Sequence, residues 1–256
     1  MKKIKTAMPA FFLISVLGRC VNETTEHETT LTISAAASLQ TALGAIKEQY
    51  EDLNPEVEIV YNFGSSGTLQ QQITQGAPVD LFFSAGEAPF QKLLADGLIE
   101  EKQRTNLLSN ELVVIVPKEN DLAIQALEDV IKARTIAIGT PESVPAGQYG
   151  VEALTKLQLW DALQTKAVYA KDVRQVLTYT ASANVDVGIV YKTDVLASDN
   201  VTVIATIPAQ SHAPIIYPVG IVKDRPHAEE AQQFYDYLLS ADAMEQFENY
   251  GFKGVE

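Results

Sequence analysis

The sequence predicts an α/β protein in two lobes, each a mainly parallel sheet flanked by helices, with a cleft between them. From Thr30 onward short apolar runs alternate with amphipathic stretches, the pattern of strands feeding helices. The second half of the chain repeats the order of elements in the first. Several strands end in loops of small residues, placed where an open sheet meets a ligand beyond its carboxyl edge.

In order, Leu31 and Ile33 alternate as a first strand, and Leu39, Ala42, Leu43, Ile46 and Tyr50 recur at helical spacing until Asn54-Pro55 stops the helix. Val57, Ile59, Tyr61 and Phe63 share one face of a second strand, followed by the turn Gly64-Ser65-Ser66-Gly67 and a helix carrying Leu69 and Ile73. Leu81 to Ser84 reads as a third strand, with Phe90, Leu93 and Leu94 on its helix. The second lobe is expected to open with a strand at Leu112 to Val116, a helix near Ala126 to Arg134 and a strand at Ile136 to Gly139. A turn from Pro141 to Gly147 and a helix from Tyr149 to Leu157 come next. Ala170-Lys171-Asp172-Val173 opens a helix to Tyr179, and Val187 to Tyr191 is a strand. Strands at Val201 to Ala205 and Ile215 to Val222, then helices at Ala228 to Leu239 and Ala243 to Tyr250, close the chain. On this reading lobe I takes residues 30–108 and 216–256 and lobe II takes 109–215, with crossings near Asn106 to Leu112 and Thr206 to Tyr217.

A chain of 256 residues, 46% hydrophobic and 20% charged, has ample material for such a core. Its net charge of −14, from 33 acidic and 19 basic residues, argues against a nucleic-acid partner, which needs clustered Lys and Arg. An anionic ligand would have to be held by local donors, since the overall field opposes it.

Lys2, Lys3 and Lys5 ahead of the apolar run Ala7 to Gly18 read as a signal peptide over residues 1–19, too short to span a bilayer. Removing that segment, with four cations and no acids, takes the net charge from −14 to −18. Leu17-Gly18-Arg19-Cys20 resembles a bacterial lipobox, with Arg19 where a small residue is usual, so Cys20 is either an acylation site or an incidental cysteine. As the chain's only cysteine it leaves the folded part without disulfides or thiol chemistry. Residues 20–29 read as a polar tether. The expectation is an exported monomer, held at the outer face of the cell membrane as a lipoprotein, or periplasmic if Cys20 is not acylated.

Three loops, Ala35-Ala36-Ala37-Ser38, Gly64-Ser65-Ser66-Gly67 and Val144-Pro145-Ala146-Gly147, leave backbone N–H groups accessible at expected helix starts. Helix N-termini carry unpaired donors and a partial positive charge, so an anion settles there without a basic side chain. Ser38 and Ser66 would add hydroxyl donors, although each taken singly reads as a helix N-cap. Tyr191 ends an apolar strand where the cleft should lie, as a donor or as a rim tyrosine packed between lobes. A set made of donors alone favours a fully ionised oxyanion.

Other chemistry fits less well. Gly64-Ser65-Ser66-Gly67-Thr68 misses the Gly-x-Ser-x-Gly nucleophile elbow at Thr68, and His27, His212 and His227 sit in tether or surface-like segments, so a secreted serine hydrolase is a distant alternative. No cluster of His, Cys or carboxylates marks a cation site, and no cofactor is implied.

These loops, together with Gly76-Ala77-Pro78-Val79-Asp80-Leu81-Phe82, Asp172-Val173-Arg174, Gly188-Ile189-Val190-Tyr191, Tyr235-Asp236-Tyr237-Leu238 and Tyr250-Gly251-Phe252, resemble the molybdate-binding proteins of bacterial ABC transporters from Leu31 to Phe252. The resemblance implies a type II periplasmic-binding-protein fold and a non-enzymatic protein that captures molybdate, and tungstate, for a membrane permease by hinge closure. Carried onto this chain, it implies donation by Ser38 and Ser66, by the backbone N–H groups of Ala146 and Val173, and by the Tyr191 phenol, with Ser65 able to share the second serine's role. It implies that molybdenum is bound only as the oxyanion, and that Arg174 makes salt bridges rather than touching the ligand. A sulfate or phosphate carrier of the same architecture is the alternative, although phosphate sites favour an Arg fork or a proton-accepting carboxylate that these loops lack.

Overall fold

A computed structural model of the chain describes residues 29–119 and 122–255. The expected signal peptide, Cys20 and all of the expected tether except Thr29 lie outside the described residues. The described part begins with β1 (Thr29–Ala36), a 3-10 turn (Ala37–Leu39), α1 (Gln40–Leu53), β2 (Val57–Gly64), α2 (Ser66–Thr74), β3 (Leu81–Phe83), α3 (Glu87–Ala95) and β4 (Ile99–Ser109). It continues with β5 (Leu112–Pro117), a 3-10 stretch (Leu127–Lys132), β6 (Ile136–Gly139), α4 (Pro145–Lys156), α5 (Trp160–Leu163) and β7 (Ala167–Ala170). Next come α6 (Val173–Ala181), β8 (Val187–Tyr191), a 3-10 stretch (Lys192–Ala197) and β9 (Val201–Thr206). The last part is β10 (Ile216–Val222), α7 (Ala228–Leu238), α8 (Ala241–Asn249) and β11 (Lys253–Gly254).

These strands form two sheets: one of six strands in the order β11-β4-β10-β3-β1-β2, and one of five in the order β7-β6-β8-β5-β9. The chain passes from the first to the second through Asn110 and Glu111 and returns between β9 and β10. Both sheets are mixed rather than mainly parallel. β1 pairs in parallel with β2 and β3, and β6 with β7 and β8. β10 runs antiparallel to β3 and β4, and β5 antiparallel to β8 and β9. The crossings explain the mixture: a strand arriving from the other lobe starts at the cleft edge, where β1, β2, β6 and β8 finish, and so must run against them.

Local sequence accounts for the main elements. α1 buries Ala42, Leu43, Ile46 and Tyr50 along one stripe and stops at Asn54, whose amide donates to the Tyr50 carbonyl at 2.9 Å. β5 is buried at all six positions, as expected of a strand covered on both faces. The core of lobe I closes with edge-on aromatic packing, Phe83 on Phe247 at 5.9 Å and Phe252 on Tyr217 at 5.5 Å between ring centroids.

The structure departs from the sequence expectations at four places. β4 carries Glu100, Glu101, Lys102 and Arg104 and has only the two-residue β11 beyond it, so its solvated pattern hides a strand. Residues 127–132 wind as a 3-10 stretch where a helix from Ala126 to Arg134 was expected, with Val130 the one buried residue among them. β7 is a short edge strand where no strand was expected. α4 begins at Pro145 rather than Tyr149, since proline at the first helical position gives up an N–H that the helix does not need. Ala146 and Gly147 therefore lie in its first turn. A Cβ at Gly147 would fall on the Gly139 carbonyl oxygen, so only glycine lets α4 approach the end of β6 this closely.

Candidate functional site

The carboxyl ends of β1, β2, β3, β6, β7 and β8 meet across the gap between the sheets, and these ends with the loops that follow them wall a small cavity. Ser38, Ser65, Ser66, Ala146, Val173 and Tyr191 all line it. Its empty space, counted with the open mouth, is about 210 Å³. Asp172 is the charged residue among its lining, and no Lys, Arg or His belongs to the wall.

The two serines are separated from the capping role by geometry. Ser65 is the N-cap of α2: its hydroxyl accepts from the Thr68 N–H at 3.4 Å and donates to Thr68 Oγ1 at 2.8 Å, which engages its proton. Ser66, at the first helical position, has its Oγ accepting the Ala85 N–H at 2.9 Å and keeps its proton unspent. Ser38 sits in the 3-10 turn after β1, where no side chain caps the helix, and its Oγ lies 3.1 Å from the Tyr217 phenol oxygen. All three serines are buried.

Lobe II contributes helix starts. Val173 is the first residue of α6 and Ala146 the second of α4, so their N–H groups precede the first intrahelical acceptor. Asp172, whose carboxylate belongs to the wall, caps α6, its Oδ1 accepting the Gln175 N–H at 2.9 Å. Tyr191 is 1% exposed and donates its phenol proton to the Ala85 carbonyl across the cleft at 2.9 Å. Burial pushes that phenol well above the ordinary tyrosine range, with nearby Tyr217 adding to the effect, so it stays a neutral donor. Ala85 thus meets Ser66 with its N–H and Tyr191 with its carbonyl. The loop that presents it is tightened by Ser84, whose Oγ donates to the Gly86 carbonyl at 2.6 Å.

Other bonds join the lobes at the rim. Gly67 N–H donates to the Ser143 carbonyl at 2.9 Å. Arg174 reaches from α6 to lobe I, with Nε 3.2 Å from the Ala37 carbonyl and Nη2 2.7 Å from Thr41 Oγ1. The same Nε lies 3.6 Å from Asp194 Oδ1, an ion pair without a hydrogen bond. Asp194 is fully buried; burial pushes its carboxyl up to about 7 although Arg174 pulls it down. Its other oxygen accepts the Tyr191 N–H at 3.1 Å and fixes the end of β8.

Among the described residues no histidine lines the cavity as a base for a serine nucleophile. His212 packs near Tyr149 with Nδ1 2.7 Å from the Ala213 carbonyl, and neither it nor His227 lines the cavity. Among the described residues no group of three or more His, Cys, Asp or Glu could hold a metal ion, and no helix is long and apolar enough to cross a membrane. Sequence reasoning passed over Ala85, Asn110 and Tyr217. Ala85 acts only through its backbone, and Tyr217 looks like any core aromatic on an apolar strand, its one signal being its place at a crossing.

Two mixed-sheet lobes joined by two crossings, with a donor-lined cavity between them, define a binding protein of the two-lobed transport class. The chain belongs to the family of bacterial extracellular solute-binding proteins, whose pattern matches residues 31–253. This is a family of binding proteins, not enzymes. YvgL of Bacillus subtilis, named as a substrate-binding lipoprotein of an ABC transporter, is 51% identical over 247 residues, covering 96% of this chain and 95% of its own. The molybdate-binding protein ModA of Haemophilus influenzae is 39% identical over 227 residues, 87% of this chain and 89% of its own. The solved periplasmic molybdate-binding protein of Azotobacter vinelandii superposes with a TM-score of 0.79 at 27% identity, covering 88% of this chain and all of its own.

Because Ser65 and not Ser66 caps α2, Ser65→Ala is expected to lower stability in urea unfolding by about 1 kcal/mol. An unchanged midpoint would contradict the capping assignment.

Proposed function

We propose that this protein captures molybdate, and tungstate, for an ABC importer, holding the dianion between its lobes by hydroxyl and backbone N–H donors alone. The observation that carries this reading is the convergence on one cavity of the Ser38 and Ser66 hydroxyls, the Ala146 and Val173 N–H groups and the Tyr191 phenol, with no cationic side chain in the wall. The starts of α2, α4 and α6 point their partial positive charge at the same space. Between the two adjacent serines the reading favours Ser66, since the Ser65 proton is engaged by Thr68. Relatives named for molybdate binding support the choice of ion.

In this reading residues 30–108 with 216–256 and residues 109–215 close as two bodies about the crossings, and a membrane permease reads the closed form. The anion would replace the Ala85 carbonyl as the acceptor of the Tyr191 proton, or share it. The protein acts as a monomer, tethered through an acylated Cys20. The lipoprotein name of YvgL supports the anchor.

The central test is a thermal-shift panel of molybdate, tungstate, sulfate, phosphate and chromate. Ligand at a hundredfold excess over its dissociation constant adds about 2.7 kcal/mol of stability, so molybdate and tungstate should raise the midpoint. A shift with sulfate alone would keep the site and change the ion, and no shift with any of them would end the proposal. Ser38→Ala and Ser66→Ala should each cost about 1–3 kcal/mol of molybdate binding by calorimetry.

Closure is tested at Gly67, where a Cβ would stand 2.7 Å from the Ser143 carbonyl oxygen of the other lobe. Gly67→Ala should weaken molybdate binding by about tenfold or more while leaving ligand-free unfolding nearly unchanged; wild-type affinity would show that the lobes need not meet there. Mass spectrometry of the membrane fraction should find a diacylglyceryl adduct on Cys20, and an unmodified thiol would dispose of the anchor.

A further inference from the structure

Ser38 has an unusual neighbour. Its Oγ lies 3.1 Å from the phenol oxygen of Tyr217, a side chain with no solvent exposure on the strand that re-enters lobe I. That phenol oxygen also accepts from Asn110 Nδ2 at 3.2 Å, and the same amide donates to Thr193 Oγ1 at 2.9 Å. Asn110 belongs to the crossing between the sheets, and its own Oδ1 accepts the Glu111 N–H at 2.9 Å. With the carbonyl end committed to a backbone donor, the amide end must face Tyr217, so the direction of that bond is fixed by chemistry.

The rest follows from proton counting. A phenol has one proton. If Ser38 donated to Tyr217, the phenol oxygen would receive two donors, its own proton could go only to the neighbouring Tyr191 phenol oxygen, which is itself tied to the Ala85 carbonyl, and Ser38 would have no proton left for a ligand. If Tyr217 donates to Ser38, every group is satisfied and the Ser38 proton is left over, on the cavity side of a residue that lines the cavity. A chain of donors then runs Asn110 to Tyr217 to Ser38, and each bond in such a chain polarises the next.

We infer that Tyr217 and Asn110 are positioning residues for anion capture: they occupy the acceptor face of Ser38 and so aim its proton at the ligand. Neither touches the cavity, and both act through Ser38. The inference rests on the proposed oxyanion site and deepens it. It also gives Ser38 and Ser66 equivalent settings, since the Ala85 N–H holds the Ser66 oxygen as the Tyr217 phenol holds that of Ser38.

The test is a double-mutant cycle on molybdate affinity by calorimetry, with wild type, Ser38→Ala, Tyr217→Phe and the double variant, and with Asn110→Ala as a second probe of the relay. Tyr217→Phe should weaken binding by about tenfold, and Asn110→Ala in the same direction. The double variant should bind no more weakly than Ser38→Ala alone, because Tyr217 has nothing left to orient. A purely structural tyrosine would lower the unfolding midpoint without this coupling. Additive losses, or wild-type affinity in Tyr217→Phe, would overturn the inference while leaving the site standing. Failure of the wild type to bind molybdate, or full affinity in Ser38→Ala, would overturn the site reading and the inference with it.

Discussion

A buried dianion with no cation beside it can be stable only if it meets donors whose oxygens are already satisfied, and that constraint organises this cavity. The Ser66 oxygen is held by the Ala85 N–H and the Ser38 oxygen by Tyr217, so each hydroxyl has a proton to spare. The backbone donors of Ala146 and Val173 are spare for another reason, being at helix starts. Fixed dipoles of this kind cost no reorganisation when charge arrives, and they work in a surface whose overall charge is strongly negative. A lysine or arginine in the wall would attract any anion; a wall of donors with set directions chooses by shape and by protonation state.

The fold exists in service of that wall. Because β1, β2 and β3 of one sheet and β6, β7 and β8 of the other all finish at the cleft, six strand ends deliver their residues to one place. The strands that begin there, β5 and β10, carry the crossings, which is why both sheets are mixed. Small residues then let the loops come close. Gly147 admits the Gly139 carbonyl, and Gly67 brings its N–H to Ser143 of the opposite lobe. Arg174, a cation beside the cleft, is engaged by Ala37, Thr41 and Asp194 and fastens lobe to lobe without entering the wall.

Much of this could be read from the chain because strand ends, helix starts and small-residue loops are local features. Ser38, Ser66, Ala146, Val173 and Tyr191 all sit at such boundaries, and the structure gathers them on one cavity. What stayed hidden depends on distant partners. Ser66 reads as a helix cap until Ser65 is seen to hold that role, and Ser38 reads as one until Tyr217, 179 positions away, is seen beside it. β4 was hidden by its charges, since a strand near a sheet edge need not alternate cleanly. Ala85 offers no side-chain signal at all, and its importance lies in a carbonyl and an N–H that face opposite lobes.

The claim that dipoles rather than cations hold the anion is tested most directly by diffraction from molybdate-soaked or co-grown crystals at the molybdenum absorption edge. The account predicts one strong anomalous peak in the cavity between Ser38 and Tyr191, with its oxygens within hydrogen-bond reach of both serine hydroxyls and of the Ala146 and Val173 N–H groups. A peak outside this cavity, or one whose oxygens are met by a lysine or arginine side chain, would contradict it.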